Sequence, residues 1–246
     1  MKPEIRKIVT RSVLFFGILA VSAAGMQLAA WRNEQNAPDA VTASAAQSPV
    51  IVLDAGHGGI DGGCSSADGI PEKGINLNIL LNLRGLLEIS GYEVRVTRDT
   101  DRSIHDPGIE GIANQKSSDM DNRLAILNEP ENAVCISIHQ NQFTDPQYSG
   151  AQIFYAPTNP ESEGLAQSIQ TQFRTLLQPQ NEREIKRCGK ELFLCWYCEH
   201  PMVMAECGFL SNPEEAARLS DPDYQHQVAL TLYAGLTDWL SQQHSV

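Results

Sequence analysis

Apolar runs alternate with amphipathic segments between residues 50 and 242, and this alternation predicts the elements of the fold. Short apolar runs bounded by polar residues or glycine are typical of buried strands, whereas apolar residues three or four positions apart are typical of helices. The pattern predicts strands at residues 50–54, 92–98, 133–138, 150–155, 192–197 and 201–206. It predicts helices at residues 75–89, 160–177, 212–220 and 222–242, and one more that is capped by Ser118 and continues through Arg123 to Leu127.

The order of these elements favours an α/β fold with a mostly parallel, twisted sheet of about six strands and helices on both faces. In such sheets the carboxyl ends of parallel strands share one edge, and ligands bind there. His57, His139 and Glu206 each follow or end a predicted strand. We therefore expect these three side chains to lie together at the carboxyl edge of the sheet.

The segment around His57 predicts a metal ligand at the tip of a strand. An apolar run beginning at Val50 leads into Asp54-Ala55-Gly56-His57-Gly58-Gly59, and the glycines let the backbone turn sharply and leave the imidazole uncovered. Glu72 follows fifteen residues later, and His139 ends a second apolar run. Two imidazoles and one carboxylate form a catalytic zinc set that leaves one position open for water. The sequence thus predicts a Zn²⁺ site of His57, Glu72 and His139.

Glu206 ends the apolar run Pro201–Ala205 and is the predicted catalytic residue. Burial of an unpaired carboxylate is costly, so such a group is either paired with a cation or placed where its charge is used. Beside a zinc site it can act as a general base and then pass the proton to a leaving amine. Together these groups indicate an amide hydrolase.

Each of these residues also has a plainer interpretation when it is taken singly. His57 fits a turn residue without a metal, and His139 fits a strand-end histidine satisfied by neighbours. Glu72 fits a solvated loop charge paired with Lys73, and Glu206 fits a member of a buried ion pair.

Three further side chains are candidates for contact with substrate or site. Arg98 and Arg123 could clamp substrate, or they could be structural partners of nearby acids such as Asp99 and Asp121. His105 lies in a glycine-containing loop that could fold over the edge of the sheet.

Residues 1–32 predict a secretory signal peptide or a signal anchor. Basic residues precede an uncharged run from Ser12 to Trp31, which is about long enough to span a bilayer. The small residues at 21–23 and 28–30 also suit a signal peptidase, so both alternatives stay open. In either case the rest of the chain is extracytoplasmic, either anchored to the membrane through the N-terminal segment or secreted. Residues 33–49 predict a flexible tether, and residues 50–242 a catalytic domain.

Charge and cysteine content narrow the range of functions. The formal net charge is −12, and residues 33–246 hold −16 because residues 1–32 carry five basic and one acidic side chain. This acidity argues against nucleic acid as a partner. The six cysteines are irregularly spaced. Cys135 lies inside an apolar strand, and Cys195-x-x-Cys198 could bind zinc or cycle as a dithiol, although a structural or incidental role is favoured.

The motifs resemble those of the zinc-dependent N-acetylmuramoyl-L-alanine amidases, in the group called amidase_3. The matching segments occur in family order and are Leu53–Gly59 with Asp61, Glu72-Lys73, Ser137–Asn141 and Met204–Asn212. The resemblance implies that His57, Glu72 and His139 bind zinc and that Glu206 is catalytic. It implies peptidoglycan as substrate, cut at the amide between the lactyl group of muramic acid and L-alanine. Ser117–Arg123 also resembles the spore-cortex members, which help convert muramic acid to its δ-lactam.

Two other classes of function remain possible at this point. One is a non-catalytic envelope module that binds peptidoglycan, and the other is a zinc peptidase that cuts within the stem peptide. The sequence also leaves open whether an accessory envelope protein takes part.

Overall fold

The computed structural model describes residues 48–243, which form a six-stranded sheet with helices on both faces. The strands are β1 (Val50–Ala55), β2 (Val94–Val96), β3 (Ala133–Asn141), β4 (Gln152–Tyr155), β5 (Lys186–Arg187) and β6 (Met202–Phe209). The helices are α1 (Glu72–Ile89), α2 (Ile112–Asn128), α3 (Glu161–Gln172), α4 (Phe193–Tyr197), α5 (Pro213–Leu219) and α6 (Pro222–Gln243). A π-helical turn at Phe173–Leu177 extends α3.

The strand order is β2-β1-β3-β6-β4-β5. Strands β2, β1, β3 and β6 are parallel, β4 runs antiparallel to β6, and β5 pairs in parallel with β4. The predicted α/β fold with a mostly parallel sheet is therefore confirmed. The parallel pairs bring the carboxyl ends of β1, β3 and β6 to one edge.

Two apolar clusters cover the two faces of the sheet. Ile51 and Leu53 of β1 belong to a core shared with α1, α3 and α6. Val52 points to the opposite face, where it joins a smaller cluster with Leu127 of α2 and Leu194 of α4. A parallel strand that is buried on both faces needs apolar residues at almost every position. This explains why the strands are visible in the sequence as continuous apolar runs.

The predicted strand at residues 192–197 is wrong, because Phe193–Tyr197 forms α4. Periodicity alone cannot separate a short buried strand from a single helical turn. Leu194 and Cys195 are buried here, while Tyr197 is exposed. The sixth strand is instead the two-residue β5, which is too short and too polar to give an apolar pattern.

Ser118 does not cap the helix that it was predicted to begin. That helix, α2, starts six residues earlier, after Gly111, whose φ of 84° is a conformation that glycine adopts without strain. Ser118 lies within α2, and its hydroxyl accepts a hydrogen bond of 3.0 Å from the backbone N–H of Asp106. The side chain thus ties the preceding loop to the helix.

The compact unit begins at Pro49. The predicted signal segment at residues 1–32 and the predicted tether at residues 33–49 lie outside the described residues, apart from Ser48 and Pro49. Across residues 48–243, every helix is too short or too polar to cross a membrane.

Helices α3 and α6 approach closely because Gly235 has no side chain. A Cβ at this position would lie 2.6 Å from the Cα of Ile169, a backbone atom that cannot move aside cheaply. The Ser168 hydroxyl donates a hydrogen bond of 2.8 Å to the Gly235 carbonyl at the same crossing.

We expect Gly235→Ala to lower the free energy of unfolding by about 1–3 kcal/mol, because the added methyl group overpacks this crossing. Gly85→Ala is the matched control, since Gly85 is exposed in α1 with open space around its Cα. This control should gain up to about 1 kcal/mol from helix propensity. Urea denaturation of both variants measures the difference, and equal stabilities would contradict the packing argument.

Candidate metal centre

The turn that follows β1 places His57 beside His139. Ala55 pairs with Ile138 across the β1–β3 ladder, so the next residues of both strands leave the sheet together. His57 adopts a φ of 63°, a left-handed conformation that is uncommon for residues other than glycine. Gly56 packs against the imidazole of His139, and a Cβ on Gly56 would overlap that ring. The sharp turn and the missing side chain together let the two imidazoles meet.

His57, Glu72 and His139 form a group whose potential ligand atoms all lie within 4.8 Å of one another. Glu72 Oε1 is 3.1 Å from His57 Nε2 and 3.2 Å from His139 Nδ1. Ligands about 2.0–2.2 Å from a tetrahedral zinc ion are roughly 3.3 Å apart. The chemistry of the three donors and their separations therefore both fit a zinc ion.

Glu72 is held rigidly at the first residue of α1. Its Oε2 accepts a hydrogen bond of 2.8 Å from the Cys64 backbone, and its Oε1 accepts one of 3.1 Å from the Asn76 side chain. Burial would raise the pKa of Glu72, but the hydrogen bonds and charges of His139 and His57 lower it well below its usual range. The helix N-terminus also favours a negative charge. The Glu72 carboxylate is thus ionised and ready to bind a cation.

Asp61 supports His57 from the side that faces away from Glu72. Its Oδ2 lies 2.9 Å from His57 Nδ1, and its Oδ1 lies 2.8 Å from the Lys116 ammonium. Burial lowers the pKa of His57, but the two neighbouring carboxylates outweigh it and raise this pKa to about 9. A carboxylate on the far ring nitrogen is the usual way in which proteins orient a metal-binding histidine.

Glu206 faces the same site from the neighbouring strand. It is paired with His139 in the register of β3 and β6, so the two side chains share one face of the sheet. Its Oε2 is buried and has no hydrogen-bond partner among residues 48–243. Burial, together with the charge of Glu72, raises the pKa of Glu206 to about 7. Glu206 is therefore no member of a buried ion pair.

A cavity of about 390 Å³ connects these groups with the surface. His57, His139 and Glu206 line its floor, and residues 191–194, at the start of α4, line one wall. Leu192, Phe193 and Leu194 make this wall largely apolar. An apolar wall opposite charged groups limits their solvation and strengthens electrostatic interactions within the cavity.

Arg98 and Arg123 are structural, and their partners differ from those predicted. Both guanidinium groups are buried. Arg98 donates to the carbonyls of Ala55 and Gly56 at 2.9 and 3.0 Å. Arg123 donates to the carbonyls of Ala55 and His57 at 2.7 and 2.6 Å. These bonds fix the turn that carries His57, so neither arginine is free to clamp a substrate in this arrangement.

The acids that pair with Arg123 are Asp54 and Asp119, each at 2.6 Å. Asp121 is not its partner in this structure, and Asp99 instead lies 3.7 Å from the exposed Arg102. Arg98 interacts with backbone carbonyls rather than with either predicted acid. The sequence-based pairing was therefore wrong because it considered only neighbours along the chain.

Asp54 is the important residue that the sequence interpretation did not assign. It is fully buried and also accepts hydrogen bonds from Ser137, at 2.5 Å, and Thr97, at 2.7 Å. A charged residue at the end of an otherwise apolar strand was a usable signal for a buried network. Burial opposes the ionisation of Asp54, but Arg123, His139 and the two hydroxyls hold its pKa at about 2.

His105 does not line the cavity. Its Nδ1 lies 2.8 Å from the Ser103 hydroxyl, which in turn donates to Asp119 at 2.9 Å. The loop that carries His105 therefore contacts Asp119, the partner of Arg123, and His105 is not part of the site.

Comparison with known proteins gives a consistent result over the described region. The family described as N-acetylmuramoyl-L-alanine amidase, Amidase_3, matches residues 51–238. The chain is 34% identical over 194 residues to the germination-specific N-acetylmuramoyl-L-alanine amidase of Bacillus subtilis. The aligned region covers 79% of this chain and 81% of that protein.

Two solved structures from Clostridioides difficile share the fold. The CwlD amidase, solved in complex with the GerS lipoprotein, has a TM-score of 0.76 and 37% identity, covering 79% of this chain and 99% of that one. An N-acetylmuramoyl-L-alanine amidase from strain 630 has a TM-score of 0.69 and 25% identity, covering 80% of this chain and 98% of that one.

The Asp54 network predicts a specific loss of stability in acid. Because the pKa of Asp54 is lower in the folded chain than its usual value of 3.8, its contribution is present above about pH 4 and is lost as the pH falls towards 2. The shift corresponds to about 2 kcal/mol.

We expect Asp54→Asn to be less stable than the wild type at pH 7, because the buried Arg123 loses a charged partner. Between pH 4 and pH 2 the variant should lose about 2 kcal/mol less than the wild type. Urea denaturation across this range measures both curves, and parallel curves would contradict the assignment.

Proposed function

The chain belongs to the N-acetylmuramoyl-L-alanine amidase family Amidase_3, and from this membership we propose that its metal centre and Glu206 hydrolyse the amide between muramic acid and the stem peptide. The bond joins the lactyl group of N-acetylmuramic acid to L-alanine. Family membership makes the chain an N-acetylmuramoyl-L-alanine amidase that acts on peptidoglycan, and it gives no support to a non-catalytic binding module.

The observation that carries the proposed mechanism is the convergence of four side chains at one edge of the sheet. His57, Glu72 and His139 come from three separate segments, yet their ligand atoms lie within 4.8 Å of one another. Glu206 stands opposite His139 with an unpartnered carboxylate oxygen, as far as residues 48–243 are concerned. Unrelated core residues would have no reason to share this position.

We assign zinc to His57, Glu72 and His139 as the ion that this donor set fits. These three residues would hold the ion, and zinc bound there would polarise a carbonyl and acidify water. The chain's own contribution is to hold the three donors in place. Asp61 orients His57, and Asn76 and the Cys64 backbone orient Glu72.

Glu206 is assigned the proton transfers of the reaction. Its free oxygen accepts a proton from water as the water attacks the amide carbonyl, and it then delivers a proton to the departing L-alanine nitrogen. Water adds its oxygen to the lactyl carbonyl carbon, the carbon–nitrogen bond breaks, and the products are a lactyl carboxylate and a free amine. The apolar wall at residues 192–194 restricts solvent around these steps.

The spore cortex is the proposed setting of this reaction. The similarity to the germination-specific enzyme of B. subtilis and to the CwlD amidase of C. difficile supports this assignment. Removal of the stem peptide there would prepare muramic acid for closure to its δ-lactam. Because the CwlD amidase was solved with a lipoprotein, we propose that an accessory envelope protein also assists this chain.

The family and its cell-wall members indicate that the domain works outside the cytoplasm. We propose that residues 1–32 deliver it there, either as a cleaved signal or as a membrane anchor.

Digestion of purified peptidoglycan tests the bond that is cut. Mass spectrometry should detect intact stem peptides with a free L-alanine N-terminus and glycan strands with free lactyl groups. Shortened peptides that leave L-alanine on the glycan would instead identify a peptidase, which is the alternative class of zinc enzyme.

Glu206→Gln should retain bound zinc and lose turnover by about 10²–10⁴-fold, because the amide keeps the shape of the side chain but cannot accept the proton. Elemental analysis measures the metal, and the same digestion assay measures turnover. His57→Ala is the companion variant and should lose the metal itself. Full activity in Glu206→Gln would exclude its assigned role.

Asp61→Asn should weaken zinc affinity by about 10–100-fold, because the carboxylate that orients His57 is lost. Asp68→Asn is a matched control, since Asp68 lies exposed in the same loop. Competition with a fluorescent zinc chelator measures both affinities. Equal affinities would show that Asp61 does not support the metal centre.

A further inference from the structure

Arg183 lines a second cavity, which has a volume of about 550 Å³. The residues around this cavity come from the loop before β4, from the loop between the π-helical turn and β5, and from α5. None of them is a proposed zinc ligand or takes part in the proton transfers assigned to Glu206. The second cavity is therefore available for a part of a ligand that lies outside the metal centre.

A row of paired residues connects the metal centre with Arg183. His139 of β3 pairs with Glu206 of β6, and Glu206 pairs in turn with Gln152 of β4. Residues that are directly opposite each other on neighbouring strands project from the same face of the sheet. Arg183 Nη1 donates a hydrogen bond of 3.2 Å to Gln152 Oε1. The row thus leads from a proposed zinc ligand, past Glu206, to the Arg183 guanidinium group.

The Arg183 guanidinium group is fixed in position but has no counter-charge. Its Nε donates a hydrogen bond of 2.8 Å to the Ser149 carbonyl, and its Cζ lies 4.5 Å from the centre of the Phe209 ring. An aromatic face attracts a cation but does not neutralise it. Among the residues that the structure describes, half-buried Arg183 forms no ion pair, and its Nη2 makes no hydrogen bond. Nη2 is therefore a donor that an anionic ligand could use.

The acids that line the second cavity do not neutralise Arg183. The Glu215 carboxylate is buried and accepts hydrogen bonds from two backbone N–H groups, at 2.8 and 3.0 Å. Its nearest cation is Arg218, at 3.9 Å. Glu182 is exposed, so water screens its charge. Arg183 can therefore accept a carboxylate from outside the chain.

Two exposed aromatic side chains lie beside Arg183. Tyr148 lines the second cavity, and the centre of its ring is 5.7 Å from Arg183 Cζ. The Phe143 ring packs edge-on against Tyr148, with 4.8 Å between the ring centres. Phe143 and Tyr148 are 52% and 42% exposed. Aromatic residues and arginine are enriched where proteins contact their partners, so this surface has the composition of a binding site.

The spacing of the strands gives the distance between the metal centre and this surface. Neighbouring strands are about 4.8 Å apart, so Gln152 lies about 10 Å from His139. An extended peptide spans about 3.3–3.6 Å per residue, and three residues therefore cover this distance. Glu206 is assigned the delivery of a proton to the departing nitrogen, so the departing peptide lies on the Glu206 side of the zinc ligands. From there the row of paired residues continues to Arg183.

We propose that Arg183 binds a carboxylate of the departing stem peptide, about three residues beyond the scissile amide. Its Nη2 donates a charge-assisted hydrogen bond to the carboxylate, and Tyr148 and Phe143 provide apolar surface beside it. Gln152 and the Ser149 carbonyl hold the guanidinium group in place. This assignment rests on the proposed function, from which it takes the substrate and the role of Glu206.

Two substrates that differ in one group test this contact. Both are N-acetylmuramoyl tripeptides, and one ends in a carboxylate whereas the other ends in a carboxamide. The zinc-loaded full chain should have a KM about 10-fold lower for the carboxylate, because a hydrogen bond between charged groups is lost with the carboxamide. The two kcat values should be similar, since the contact is the same in the ground state and the transition state.

Variants of the chain show whether Arg183 causes this preference. Arg183→Ala should abolish it, and Arg183→Lys should keep part of it because the charge remains. Arg187→Ala is the matched control, since Arg187 is exposed on β5, and it should keep the full preference. General damage to folding or zinc binding lowers both rates and leaves their ratio unchanged. A wild type without the preference, or Arg183→Ala with it, would overturn the assignment.

Photolabelling of the wild type tests the location without requiring turnover. The probe is a free stem tripeptide that has a C-terminal carboxylate and a diazirine on its third side chain. After irradiation with the zinc-loaded full chain, mass spectrometry should find the label within residues 147–150 or 178–183. The unlabelled tripeptide should compete about 10-fold better than its carboxamide. Label elsewhere, or no label, would overturn the assignment.

The two measurements separate this assignment from the proposed function. Release of stem peptides from peptidoglycan without the carboxylate preference would leave the amidase reaction standing and overturn the role of Arg183. Labelling at the second cavity without any release of stem peptides would contradict the proposed reaction and support a peptide site at Arg183.

Discussion

The buried pair of Asp54 and Arg123 is the interaction on which the site depends. Asp54 lies next to the last residue of β1, and Arg123 of α2 contacts it, with 2.6 Å between Nη1 and Oδ1. The same guanidinium group holds the Ala55 and His57 carbonyls. A buried ion pair contributes little net stability, but loss of one partner leaves an uncompensated charge. Its main effect here is therefore to impose one conformation on the turn that presents His57.

That conformation is strained, and the surroundings maintain it. His57 has a positive φ, which costs a residue with a side chain of order 1–3 kcal/mol. Arg98 and Arg123 offset this cost, because together they donate hydrogen bonds to three successive carbonyls of the turn. The benefit is an imidazole that stands clear of the backbone, next to a strand that delivers His139. The strained turn, the buried charges and the proposed metal site are thus parts of one arrangement.

The sequence predicted the elements that have a long, regular apolar pattern. Strands β1, β3 and β6 are long, apolar and buried on both faces, so their carboxyl ends, and with them His57, His139 and Glu206, could be placed at one edge. Wherever a segment was short, the pattern was insufficient: α4 has a single apolar turn, and β5 has two polar residues.

The sequence also could not identify interacting residues that are distant along the chain. Arg123 pairs with Asp54, which is 69 positions away, whereas the sequence offered the neighbouring Asp121. Glu72 could be proposed as a ligand only because the sequence also contains two candidate histidine ligands. Its helix-end position and its hydrogen bonds from Cys64 and Asn76 depend on the folded chain.

The register between β3 and β6 has a consequence of its own. The three proposed zinc ligands lie in the turn after β1, on α1 and on β3. A bound ion would therefore not contact β6. The register of β3 and β6 places Glu206 opposite His139. If β6 slipped by one residue, Glu206 would point to the opposite face, because side chains alternate along a strand. Under the proposed mechanism such a protein would bind zinc and be inert, so the alignment of β6 with β3 would be as necessary for turnover as the zinc ligands.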